Sequence, residues 1–152
     1  MKTFEELLEG LSKAKIGYIL IGGLAVDLCG FSRVTMDVDI IVDSSRENIL
    51  RLLNCLESFG EGSARELNPD DFPIEEGCIR IVEDFPLDVF TLVKGNTYKD
   101  LLGYSDIFIT KKGERIKYLN IKGLILLKEG SARPKDQLDV HELRGIQDKR
   151  NT

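Results

Sequence analysis

The stretch Ile21-Gly22-Gly23, followed thirteen residues later by Asp37-Val38-Asp39-Ile40-Ile41-Val42, decides the reading of this chain. Residues 16–21 are a short apolar run of β-formers bounded by glycine, which predicts a buried strand. Gly22-Gly23 then opens a helix over 24–29 that Gly30 ends. Two glycines between strand and helix let the backbone approach a ligand closely, because no Cβ intervenes. The helix start directs unpaired N–H groups and its positive dipole end at the same place, where a phosphate is stabilised. Residues 36–43 alternate, with Val38, Ile40 and Val42 on one face and Asp37, Asp39 and Ile41 on the other. Carboxylates held ~7 Å apart on one strand face can share Mg²⁺ ions that substrate phosphates bridge. A purely steric role for the glycines and a solvated edge for the aspartates are the plainer alternatives. The apolar neighbours Val38, Ile40, Ile41 and Val42 favour a central strand.

A third carboxylate follows the same logic. In Leu87-Asp88-Val89-Phe90 a single Asp interrupts an apolar strand, which is costly unless the charge is paired or metal-bound. Asp88 would ligate a metal nearer the acceptor and help to remove the proton of an attacking hydroxyl. Nearby Glu83 and Asp84, beside Pro86, read as turn residues.

Working outward, Phe4, Leu7, Leu8 and Leu11 recur at helical spacing over 3–13, with Thr3 and Glu6 at capping-box positions. Ser44-Ser45 caps a helix whose apolar stripe is Ile49, Leu52, Leu53 and Leu56. Residues 59–72 read as a loop. Strands over 78–82 and 87–92 form an antiparallel pair, 98–103 a short helix, and 107–110 with 115–119 a hairpin around Lys112-Gly113. Helices over 121–128 and 135–146 close the chain, and 148–150 reads as a fraying terminus. The sum is an α/β (α+β) fold, a mixed sheet flanked by helices. Residues 1–152 form one domain, with no repeat, low-complexity tract or dividing linker.

Composition narrows the function classes. The chain has 152 residues, 42% hydrophobic and 31% charged, the proportions of an ordinary globular protein. Twenty-one Lys+Arg against 26 Asp+Glu give a net charge of −5, which disfavours a long nucleic-acid footprint but allows a local basic patch. Cys29, Cys55 and Cys78 lack zinc-ligand spacing, His141 is the one histidine, and buried free thiols are expected. Glu5, Glu6 and Glu9 stand where a signal peptide needs a cationic start, and Gly22, Gly23 and Asp27 break the most apolar stretch. A cytoplasmic protein without a membrane span is expected.

On these motifs the chain resembles the nucleotidyltransferase superfamily that includes the DNA polymerase β-like enzymes. The shared pattern is a hydrophobic residue, Gly-Gly, a spacer, Asp-x-Asp and a later lone Asp. It is most similar to the small bacterial branch of AbiEii-type toxins and antibiotic nucleotidyltransferases. Members of that branch show an arginine and threonine before the Asp pair, matched by Arg33 and Thr35. They also carry a late K-x₄-R-x-K-D-x-x-D element, matched by Lys128, Arg133, Lys135, Asp136 and Asp139. The resemblance covers roughly 16–140 and implies a minimal nucleotidyltransferase moving an NMP from Mg-NTP to a hydroxyl by a two-metal mechanism. Asp37, Asp39 and Asp88 would be catalytic and hold two Mg²⁺. Gly22 and Gly23 would cradle phosphates, with Arg33, Thr35, Lys128 and Lys135 contributing to NTP binding.

Plainer roles stand beside these. Arg33 and Thr35 either reach a phosphate or cap a turn. Lys128, Arg133 and Lys135 could be solvated charges, and Asp136 and Asp139 helix caps or partners of basic residues. His141 reads as a surface residue. Many relatives carry a helical domain after the catalytic one, whereas this chain ends in two helices, and residues 60–77 match no family element. The acceptor therefore stays open among a small molecule, an RNA end and a protein hydroxyl. The rival readings are a toxin–antitoxin or regulatory protein that binds a partner chain or a second copy, and a nucleotide-binding domain without transfer activity.

Overall fold

Each strand anticipated from the sequence forms, some with shifted ends, in the computed structural model, which describes residues 3–59, 63–82 and 85–151. Helix α1 (Phe4–Lys13) is capped by Thr3, whose hydroxyl accepts the Glu6 N–H at 3.1 Å, and it buries Leu7, Leu8 and Leu11. Strand β1 (Tyr18–Ile21) runs into helix α2 (Gly22–Leu28). Strand β2 (Val38–Val42) leads to helix α3 (Arg46–Glu57), capped by Ser45 and burying Ile49, Leu52, Leu53 and Leu56. Strands β3 (Cys78–Val82) and β4 (Pro86–Phe90) precede the short helix α4 (Tyr98–Leu101). Strands β5 (Ser105–Ile109) and β6 (Arg115–Leu119) lead to helices α5 (Ile121–Lys128) and α6 (Pro134–Arg150).

The strands form one six-stranded sheet in the order β3-β4-β2-β1-β6-β5. β1 with β2, β3 with β4 and β5 with β6 are antiparallel, while β2 with β4 and β1 with β6 are parallel, so the sheet is mixed. β2 and β4 are interior strands, which is why Val38, Ile40, Ile41 and Val89 are almost wholly buried. On the face of Tyr18 and Leu20 lies α1, anchored where the Tyr18 hydroxyl meets Ser12 Oγ at 2.8 Å.

Register fixes everything that follows. Ile21 stands opposite Asp39, Asp39 opposite Asp88, and Asp88 opposite Arg80, one row across four neighbouring strands. Asn48, buried in the first turn of α3, pins the far end of the β1–β2 pair. Its Oδ1 accepts the Gly17 N–H at 2.7 Å, and its Nδ2 donates to the carbonyls of Gly17 and Asp43 at 3.0 and 2.8 Å.

Several expectations are corrected. Asp37 precedes β2 rather than lying within it. Residues 148–150 continue α6 instead of fraying, and the loop over 59–72 contains two 3₁₀ turns, Ser63–Glu66 and Pro69–Asp71. Cys29 is buried, but Cys55 is half-buried and Cys78 exposed. Glu83 and Asp84 lie outside the described residues. His141 is exposed, as expected. Among the described residues no helix is long and apolar enough to cross a membrane.

Asn48→Ala removes three hydrogen bonds and leaves the half-buried Gly17 N–H and Asp43 carbonyl without this partner, at an expected cost of roughly 2–4 kcal/mol. Urea denaturation measures it, and an unchanged midpoint would show that the β1–β2 register is held elsewhere.

Candidate active site

The three aspartates come together from three places in the chain. Asp39 lies in β2, Asp37 in the turn before it, and Asp88 in β4. Each offers a carboxylate oxygen, and these atoms lie within 4.8 Å of one another. Asp88 is only 5% exposed, whereas Asp37 and Asp39 are half-buried. A set of three hard oxygen donors at this spacing fits a divalent cation of the Mg²⁺ type. Electrostatics point the same way: Asp39 is pushed up to about 7, chiefly by burial and then by the charges of Asp37 and Asp88, with Lys128 opposing. A cation is the natural compensation for such a cluster.

The glycine pair has a structural reason that its spacing alone did not disclose. Gly22 turns the chain from β1 into α2 with φ of +71°, and a Cβ there would land on the Asp39 carboxylate. At Gly23 a Cβ would stand 2.8 Å from Thr35 Oγ1 and 3.4 Å from Arg33 Nη2. Bare backbone at both positions lets Asp39, Thr35 and Arg33 pack against the start of α2. The steric reading therefore holds, and both glycines also line the cleft.

This cleft, of about 480 Å³, gathers the aspartates together with Arg33, Thr35, Lys128, Arg133 and Lys135. All the sequence-predicted site residues line it. Lys128 is not a solvated charge. Its side chain is 12% exposed, and its Nζ lies 3.2 Å from Asp136 Oδ1 and 3.0 Å from Asp139 Oδ2. The same Asp139 oxygen accepts Arg33 Nη2 at 2.9 Å. Asp139 is fully buried and caps no helix; it is the shared partner of two cations from distant segments. Its Oδ1 and the Arg33 Nε are buried without hydrogen-bond partners among the described residues. Arg133 and Lys135 are exposed at the start of α6. The cleft wall is thus basic within an acidic protein.

Among the lining residues that sequence reasoning missed are Arg80 and Cys78. Arg80 stands opposite Asp88 and pairs with it. Cys78 also lines the cleft, its thiol pushed up by burial and then by Asp88, so it holds little thiolate near neutrality. The only available signal for Arg80 was a charge between Ile79 and Ile81, which reads as an ordinary solvent face.

No family model matches the chain, and no curated protein matches it. Among solved structures it is similar to a putative nucleotidyltransferase, TM1012 from Thermotoga maritima, with a TM-score of 0.54 and 17% identity. The match covers 97% of this chain and 88% of that one. At this identity the likeness is one of fold: the mixed sheet with its helices is a nucleotidyltransferase-like fold.

Two outcomes follow from this geometry. Gly22→Ala is expected to cost about 1–3 kcal/mol through strain at positive φ and collision with Asp39; denaturation that matches wild type would refute the close packing. Asp39 in the folded chain binds its proton more tightly than at its ordinary 3.8. Its contribution to stability is therefore full below pH ~4 and is lost as pH rises through ~7. In cation-free buffer the wild-type melting temperature should fall between pH 5 and 8. Asp39→Asn should flatten that slope and melt a few degrees higher at pH 8, roughly 2–4 °C per kcal/mol of relieved repulsion. Parallel slopes in the two proteins would contradict the assignment.

Proposed function

We propose that this chain is a nucleotidyltransferase, moving an NMP from Mg-NTP to a hydroxyl acceptor by a two-metal mechanism, with residues 1–152 acting as one domain in the cytoplasm. The observation that carries this reading is the convergence of Asp37, Asp39 and Asp88 at the floor of a cleft with a basic wall. The nucleotidyltransferase-like fold supports it.

Asp37 and Asp39 would hold both ions and Asp88 one of them. Bound there, the ions would supply charge stabilisation at the attacking and leaving oxygens as the acceptor displaces pyrophosphate at the α-phosphorus. The remaining work belongs to the chain. Arg33 and Lys128, oriented by Asp139, together with Lys135 and Arg133, offer positive charge to the triphosphate. Thr35 and the bare backbone of Gly22 and Gly23 let that tail approach the aspartates closely. Asp88 would help to remove the proton of the acceptor hydroxyl. Positioning and electrostatics then carry most of the catalysis, as in phosphoryl transfer generally. The acceptor is a small molecule, an RNA end or a protein hydroxyl.

Calorimetric titration with the four NTPs, with and without Mg²⁺, tests the site before any acceptor is known. Wild type should bind at least one NTP in a Mg²⁺-dependent manner. The Asp37→Asn/Asp39→Asn double variant should retain its fold by circular dichroism and lose that dependence. Mg²⁺-dependent binding that survives in the double variant would sink the mechanism.

A further inference from the structure

Arg80 lies outside the acidic motif yet is the carboxylates' main protein partner. β3 and β4 place it directly opposite Asp88. Its Nε and Nη2 donate to Asp88 Oδ1 and Oδ2 at 2.8 and 2.9 Å, and Nη2 also reaches Asp37 Oδ2 at 3.2 Å. A planar fork gripping a carboxylate through two bonds is the strongest form of this pair. Even so, 52% of the side chain is exposed. Nη1 takes no acceptor among the described residues, and the guanidinium lines the same cleft as Arg33, Arg133 and Lys135.

The metal and the guanidinium make competing demands on the same groups. A divalent ion held by the triad would sit within a few ångströms of a positive charge that already occupies Asp88 and Asp37. In a partly desolvated site that repulsion is poorly screened. A polyphosphate resolves the conflict, because its oxygens accept bidentate bonds from arginine and also bridge to a metal. We propose that Arg80 is an exchangeable counter-ion of the triad. It covers Asp88 and Asp37 in the nucleotide-free protein and transfers its fork to the triphosphate when nucleotide binds. Metal and nucleotide binding are thereby positively coupled, and by linkage each favours the other equally. This inference rests on the nucleotide reading above. It differs from a role in which Arg80 only steadies the Asp88 carboxylate, because removing a steadying group weakens every ligand of the site.

Opposite signs are therefore the signature. Calorimetry would compare Mn²⁺ alone with preformed Mn–tripolyphosphate, whose polyanion mimics the nucleotide tail without a choice of base. Arg80→Gln should bind Mn²⁺ alone on the order of tenfold more tightly than wild type, and Mn–tripolyphosphate on the order of tenfold more weakly. Arg80→Lys keeps the charge but lacks the fork, so it should match wild type for Mn²⁺ alone and weaken for the complex. Weakening of both ligands in Arg80→Gln, or a change in neither, overturns the proposal. If Arg80→Gln fails to fold by circular dichroism, wild-type affinity of Arg80→Lys for Mn–tripolyphosphate overturns it instead. A wild type that binds no Mn–tripolyphosphate removes the nucleotide reading itself, whereas a wild type that binds it beside an unresponsive Arg80→Gln removes only the role of Arg80.

Discussion

The parallel pairing of β2 with β4 puts Asp39 beside Asp88, and the rest of the molecule is arranged around that juxtaposition. Adjacent strands lie ~4.8 Å apart, so two carboxylates in register, with Asp37 alongside, cannot avoid one another by backbone relaxation. Interior strands that bury Val38, Ile40, Ile41 and Val89 hold them there. Repulsion is offset in three ways: the Arg80 fork lies against Asp88, Lys128 approaches Asp39, and Asp39 keeps a proton more readily than usual. A cluster held this way costs stability, which a bound cation would repay.

Around the acidic row stands a second tier of opposite sign. Net charge is a poor guide to it, since a chain at −5 still concentrates Arg33, Lys128, Arg133 and Lys135 on one cleft. Asp139 makes the concentration possible. A fully buried carboxylate accepts a hydrogen bond from Arg33 and forms an ion pair with Lys128, and so keeps two cations close together that would otherwise repel. Arg133 and Lys135, without such a partner, remain at the exposed rim. The wall therefore has a rigid inner part and a solvated outer one.

How much of this was legible follows from the range over which each signal acts. Alternation along a strand is local, so Asp39 within a valine- and isoleucine-rich run, and Asp88 among Leu87, Val89 and Phe90, stood out at once. Asp37 was read as part of the strand because alternation carries no mark of where pairing begins. The glycine pair was visible, but its steric partners were not: Asp39 and Thr35 are reached through the fold. Arg80 could not be found, because its meaning lies in the β3–β4 register that sets it opposite Asp88. The likeness of the late basic element to a family pattern drew attention to Lys128 and Asp139. Neither the burial of Asp139 nor its sharing between two cations has any signature in spacing. The β3–β4 and β5–β6 pairs were legible as hairpins, whereas the antiparallel β1–β2 pair, joined through α2, and the parallel pairing of β6 with β1 have no local pattern that announces them.

Asp139 also has a kinetic consequence. Its bond to Arg33 spans 106 residues, while the aspartate strand pairs with β1 across a short connection. Contacts closed over long loops form late, since their entropy must be met before they repay it. Early in folding, and early in synthesis, the chain can hold an acidic sheet whose cationic wall has not yet assembled. Such a species repels polyanions. The basic wall is complete only with α6 docked, where Asp139 draws Arg33 and Lys128 together, so a chain lacking that helix would keep the acidic row without its cationic neighbours.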